Sequence, residues 1–340
     1  MRKDWVDYAK AIGIALVVFG HVLRGLHDSG IYLSEGFFKT LDSIIYSFHM
    51  PLFFFLAGLF FVSSLQKRGK KEFLLSKVDT IVYPYIIWSV IQGGISILFA
   101  RFTNNPFTIK DISLIFFEPI GQFWFLYALF MIFIFITLIY NKKYFFKTLP
   151  FLVLLSTFIY LYQNKFGELF HINYITNNLV YFLLGILFVN IDISLNKKLS
   201  NVISISCITL FVLSEFILHS HLNMTYRDTS VLTFLVSLLG ISSIVIISLI
   251  LSNIKIIWIK RIGELSMIIY LLHIICGSGI RVILSKILGI QNWHLHVIAG
   301  TILGIIIPII VYSISKKIRT NFLFEPPKIL SAQNAYKKIC

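Results

Sequence analysis

Lys10 and His21 stand eleven residues apart in a stretch, Asp4 to His21, that is otherwise almost entirely apolar. An imidazole titrating near neutrality can take a proton from a hydroxyl group, and an ammonium can attract phosphate or stabilise a developing oxyanion. On an α-helix the two side chains fall within about 20° of each other and about 16 Å apart along the axis. Ionisable groups in a membrane helix cost several kcal/mol unless they are paired or hydrated, so Asp7, Lys10 and His21 form a polar stripe that calls for a function. The plainer alternatives are a structural histidine bonding a neighbouring helix and a lysine that snorkels to the interface.

Three further runs carry reactive side chains. His49 lies in Phe48-His49-Met50-Pro51-Leu52, at the expected start of a second apolar segment. Gln122 and Trp124 open a fourth with amide and indole donors. In Glu264 to His273, the residues Ser266, Tyr270 and His273 follow four-then-three spacing and share one helix face. Glu215 sits inside a seventh apolar segment, where a carboxylate is costly in lipid and can line a cavity. His219-x-His221 and His294-x-His296 look like metal pairs, but with no third or fourth ligand in evidence no metal site is expected.

These residues need a scaffold, and composition names it. Of 340 residues 57% are hydrophobic and only 13% charged, with a mean hydropathy of +0.85. Soluble chains average about 25% charged residues, so an all-α, polytopic integral membrane protein is expected. Apolar windows recur ten times, near 6–24, 44–65, 79–100, 121–140, 148–163, 175–192, 200–219, 229–251, 265–285 and 296–315, the fifth and sixth being the weakest. With a cytoplasmic N-terminus, 21 Lys and Arg fall in cytoplasmic loops, among them Arg2, Lys3, Lys70, Lys71, Lys77, Lys197, Lys198 and Lys338. Only eight, including Lys165, fall outside, which supports about ten spans with both termini cytoplasmic. The net charge of +15 then faces the anionic leaflet, and no nucleic-acid partner is implied. Cys207 and Cys276 lie in apolar segments and Cys340 is terminal, so no pairing is readable. The N-terminus does not read as a cleavable signal peptide.

Lys10-x10-His21, Phe-His-Met-Pro-Leu-Phe-Phe-Phe-Leu-Ala-Gly from Phe48, Phe-Trp-Phe-Leu from Phe123 and Glu-Leu-Ser-Met-Ile-Ile-Tyr-Leu-Leu-His from Glu264 together resemble the membrane-bound acyltransferase-3 family. Within it the chain is most similar to fucose 4-O-acetylase-like sugar O-acetyltransferases. The resemblance implies an acyltransferase-3 transmembrane domain over 1–320 and a short cytoplasmic tail over 321–340. It also implies cytoplasmic acetyl-CoA as donor, a glycan or lipid-linked sugar as acceptor, and a place in the bacterial cytoplasmic (inner) membrane. By that analogy His21 is the catalytic histidine and Lys10 its basic partner nearer the coenzyme. Many relatives carry an Arg-x-x-Arg pair before the third span. Here the stretch reads Lys77-Val78-Asp79-Thr80, leaving Lys70, Lys71 and Lys77 as the phosphate-attracting charges.

Acetyl transfer to an alcohol needs a base, assigned to His21, and donors for the oxyanion, for which Lys10, Gln122, Trp124 and Tyr270 are candidates. Acceptor contacts are expected from His49, Gln122, Trp124, Glu215, Tyr270 and His273. An acetyl-histidine intermediate, with His21 as nucleophile, stays open. Two other classes compete: a lipid-linked glycan flippase, whose usual internal pseudo-symmetry is not evident, and a scaffold subunit, which needs no charged stripe.

Overall fold

In a hydrocarbon layer every backbone N–H and C=O must be satisfied within its own segment, so long apolar runs close into helices. A computed structural model describes residues 4–163, 172–189 and 197–339. Arg2, Lys3, Lys165 and Cys340, named above, lie outside the described residues, as do the side chains of Lys197, Lys198 and Lys338. The described residues hold no strand and form α1 (Asp4–Asp28), α2 (Glu35–Gly58), α3 (Phe61–Arg68), α4 (Lys70–Lys77), α5 (Tyr83–Leu98), α6 (Ile109–Ser113), α7 (Trp124–Ile139) and α8 (Phe145–Leu161). They continue as α9 (Ile172–Thr176), α10 (Leu179–Phe188), α11 (Lys197–Phe216), α12 (Val231–Ile254), α13 (Ile257–Glu264), α14 (Ser266–Val282), α15 (Trp293–Lys317) and α16 (Ala332–Ile339). Among the described residues eight helical stretches are long and apolar enough to cross a membrane. Two shorter apolar stretches, Phe145–Leu161 and Ile172–Phe188, fall on the two windows that were weakest in the sequence.

Boundaries differ in an instructive way. The second helix begins at Glu35, nine residues before the apolar window, because Glu35 pairs with Lys39 at 3.1 Å and His27 at 2.9 Å. Those polar first turns are invisible to a hydropathy count, and they place His49 in mid-helix instead of at its start. Three π-helical turns, Val78–Val82, Ile217–His221 and Ile283–Ile287, also interrupt or end apolar helices without any sequence signature.

The helices group into two compact units, Met1–Leu56 with Ile191–Val311, and Ala57–Asn190 with Tyr312–Cys340. In the first, α1 packs against α12, α13 and α14. At Gly263 a Cβ would collide with the Asp7 carbonyl, so only glycine lets α13 cross α1 there. Lys260 of the same short helix donates to Asp4 at 2.8 Å, and that bond holds its ammonium pKa above the usual lysine value.

The second unit is organised by rings. Phe61, Phe73, Phe133 and Phe182 form a cluster with most pairs edge-to-face, an arrangement that favours their quadrupoles. The tail belongs to this unit. Asp79, in the first π turn, accepts from the Ala332 N–H at 2.7 Å, the Ser331 hydroxyl at 2.7 Å and the Gln333 N–H at 3.2 Å. Its carboxylate thus caps α16, whose Tyr336 lies under the Lys71 ammonium and whose Lys337 reaches Glu72 at 3.6 Å.

Candidate active site

In the first unit α1 presents His21 half-way between buried and exposed, and among the described residues its ring makes no side-chain hydrogen bond. The His273 ring, from α14, lies 5.1 Å from it centroid to centroid, and the Tyr46 ring, from α2, at 6.3 Å edge-on. His49 meets the Tyr46 ring edge-on at 4.4 Å. Gly20 permits this approach, since a Cβ there would sit 3.0 Å from the Tyr46 ring. Three of the expected residues, His21, His49 and His273, are therefore gathered around Tyr46 and α1.

The supporting hydrogen bonds fix which nitrogens are available. His49 and His273 are almost fully buried, and each uses Nδ1 toward a carbonyl of its own helix, Ile45 at 2.6 Å and Tyr270 at 2.7 Å. A carbonyl only accepts, so Nδ1 carries the proton and Nε2 of the neutral ring is a lone-pair acceptor. Neither Nε2 has a hydrogen-bond partner among the described residues. Tyr270 supplies that carbonyl, and its ring lies 5.9 Å from His273.

One helical turn beyond His21, Arg24 holds Asp42 with two bonds of 2.6 and 2.9 Å and the Tyr226 hydroxyl at 2.9 Å. Its guanidinium lies 3.3 Å over the Tyr46 ring centroid, so one cation clamps the tyrosine whose ring approaches both His21 and His49. Tyr226 comes from the turn before α12. The Asp228 carboxylate accepts from the Thr225 N–H at 2.7 Å, and Ser43 Oγ accepts the Tyr226 N–H at 2.8 Å. The sequence reading did not single out Arg24, Asp42, Tyr46 or Tyr226. Its available signal was the i,i+3 spacing of His21 and Arg24.

A small recess with room for about one water molecule lies beside His21 and is lined by His273, Ser278, Arg281, His296 and Gly25, with aliphatic side chains between them. Arg281 donates to the Gly25 carbonyl at 3.0 Å. The two His-x-His pairs are used differently within themselves. His296 faces this recess while His294 stacks on Trp293 at 3.7 Å, and His219 turns back to Glu215 while His221 meets Phe216.

Lys10 and Glu215 belong to the same unit. The Lys10 ammonium stands 4.0 Å from the buried Asp7 carboxylate, near the opposite end of α1 from His21. Glu215, 4% exposed, accepts from Ser47 at 2.6 Å and has His219 Nδ1 3.4 Å from its other oxygen.

The remaining candidates lie in the second unit. Gln122 is locked in a reciprocal amide pair with Gln92, at 3.0 and 2.7 Å, and both are buried. The Trp124 ring packs 5.4 Å from that of Tyr174. The three lysines do not converge: Lys70 donates to the Leu138 carbonyl at the end of α7, Lys71 covers Tyr336, and Lys77 lies 4.6 Å over the Phe133 ring.

A family model described as an acyltransferase domain, that of the acyltransferase-3 family, matches residues 3–313, nearly the whole chain. The chain belongs to this family. The acyltransferase is similar over part of its length to nodulation protein NolL of Mesorhizobium japonicum, 31% identical over 134 residues, which are 38% of this chain and 34% of that protein. It is likewise similar to NolL of Sinorhizobium fredii, 28% identical over 131 residues, 37% of this chain and 34% of that protein. The match spans about a third of the length of these curated relatives. No solved structure matches the acyltransferase significantly. Family and hydropathy together make it an integral membrane acyltransferase with an acyl donor and an acceptor.

Proposed function

We propose that the chain moves an acetyl group from cytoplasmic acetyl-CoA to a sugar hydroxyl of a cell-surface polysaccharide or its lipid-linked precursor, in the bacterial cytoplasmic membrane, with both termini cytoplasmic. The observation that carries the reading is His21: a partly exposed imidazole without a hydrogen-bond partner among the described residues, on the wall of a small recess where His273, His296 and Arg281 lie among aliphatic side chains. The buried histidines His49, His273 and His296 each have one ring nitrogen on a carbonyl, whereas among the described residues neither nitrogen of His21 is engaged, which leaves it available to exchange a proton.

In the proposed reaction His21 takes the hydroxyl proton as the sugar oxygen attacks the thioester carbonyl. The carbon–sulfur bond then breaks, coenzyme A leaves as thiolate, and the thiolate recovers the proton from the imidazolium. Arg24 is a positioning residue for Tyr46 and, through it, for His21 and His49. Lys10 supplies positive charge for the donor's phosphates, and Tyr270 and Glu215 serve the acceptor. Cells expressing the wild-type chain are expected to carry O-acetyl esters on surface polysaccharide, and cells expressing His21→Ala at the same level to lack them. Wild-type ester content in the variant would remove His21 from the chemistry.

A further inference from the structure

We propose that α13 is a phospholipid anchor: its exposed Ile257 and Trp258 lie among the acyl chains at one bilayer surface, and the Lys255 ammonium beside them reaches the lipid phosphates. The inference stands whatever the donor and acceptor of the reaction. The place of α13 in the chain sets its level. α12 ends at Ile254 and α14 starts at Ser266, and both belong to stretches long and apolar enough to cross a membrane. The segment that joins them therefore stays at one face of the bilayer. α13 fills eight residues of it, about 12 Å of helix. Only Lys255 and Ile256 separate it from α12, and only Leu265 from α14, so neither end can stray far from the hydrocarbon boundary.

At about 100° per residue, Gly263 falls on one side of α13 and Ile257 and Trp258 on the other. The first side is used inside the protein: Gly263 is buried against the Asp7 carbonyl of α1, and Lys260 holds Asp4. On the open side Ile257 is 80% and Trp258 67% exposed, and Ile254, at the end of α12, is 62% exposed. Arg261 and Glu264 follow on that side in the next turn, bonded to each other at 3.0 Å. The apolar residues are thus confined to the first turn of α13 and the charges to the last. Water gives the three apolar side chains no partner, whereas the bilayer boundary suits each group in turn. Acyl chains cover the two isoleucines and the indole ring, the indole N–H stays with water and headgroups, and the polar last turn remains outside. Lys255 is exposed and makes no ion pair among the described residues, so its long side chain is free to extend to a phosphate. Its left-handed backbone, φ 61°, is what turns the chain out of α12 and into α13. Because α13 is seated on the first turns of α1, the anchor holds the entry of the helix that carries His21 at the same level.

The test uses the full-length chain in nanodiscs of phosphatidylcholine and phosphatidylglycerol. The Trp258 signal is the difference in tryptophan fluorescence between the wild type and Trp258→Phe. That signal is expected to fall when the lipids carry bromine high on their acyl chains, to fall less with bromine at the chain ends, and to resist acrylamide in the water, as for a ring about 5–10 Å into the headgroup–chain boundary. In Lys255→Glu the same signal, taken against its own Trp258→Phe control, is expected to shift to longer wavelength and to lose part of its bromine quenching. Should Trp258→Phe fail to fold, the signal added by Ile257→Trp is expected to show the same order of quenching. A Trp258 signal quenched by acrylamide and untouched by brominated lipid overturns the anchor. So does a signal shielded from both, which would place a second copy or another protein on this face. Unchanged emission and quenching in a folded Lys255→Glu overturns the phosphate contact.

Discussion

The nominated histidines of the first unit and the nominated side chains of the second are treated in opposite ways. In the first, His49, His273 and His296 each have one ring nitrogen bonded to a carbonyl and the other left over, and His21 is not pinned at all. In the second, the nominated residues are each engaged: Gln122 by Gln92, Lys70 by a helix-terminal carbonyl, Lys71 by Tyr336, Lys77 by two phenylalanine rings. Buried polar groups are nearly always satisfied, so left-over capacity marks groups awaiting a ligand, whereas satisfied ones hold the protein together. Substitutions in the first unit should therefore be read in catalysis, and those in the second mainly in stability.

Four substitutions would break or sharpen that contrast. The largest effect is expected from His21→Ala, a loss of at least about 100-fold in the rate of acetyl transfer with little change in thermal stability, since removing a general base costs this much. An equal fall in melting temperature would return His21 to a structural role. Arg24→Leu comes next. It leaves Asp42 without its bidentate partner and Tyr46 without its clamp, and is expected to cost about 2 kcal/mol of stability as well as activity, read by thermal melting beside an acetylation assay. Asp79→Ala removes the cap of α16 and should cost about 1 kcal/mol, seen as faster proteolysis of the tail. Lys71→Ala should be mildest, releasing a cation–π contact of about 0.5–1 kcal/mol with KM for acetyl-CoA unchanged. A rise in KM would show that the second unit carries a dedicated donor site and would end the contrast.

The helical class and the polar stripe on α1 were legible in the sequence because they rest on composition and a single period. His273 was legible through its four-then-three spacing on one helix. Tyr226 was not, since it reaches Arg24 from 202 residues away through a turn whose shape depends on Asp228 and Ser43. His296 was visible only as half of a weak metal pair, because what distinguishes it from His294 is a wall of α1 and α14 side chains that the sequence does not align. Asp79 stands out in the sequence only as a carboxylate two residues after Lys77. Its capping of α16 depends on a π turn, for which no residue pattern gives notice.

The account turns on His21, and the most direct test is transfer by the purified chain. Full-length wild type and His21→Ala in nanodiscs are given labelled acetyl-CoA and a sugar acceptor, with donor binding measured separately. The account predicts acceptor-dependent ester formation by the wild type, and a His21→Ala variant that binds acetyl-CoA with unchanged affinity yet transfers at least about 100-fold more slowly. A variant that transfers within a few-fold of the wild-type rate would contradict it.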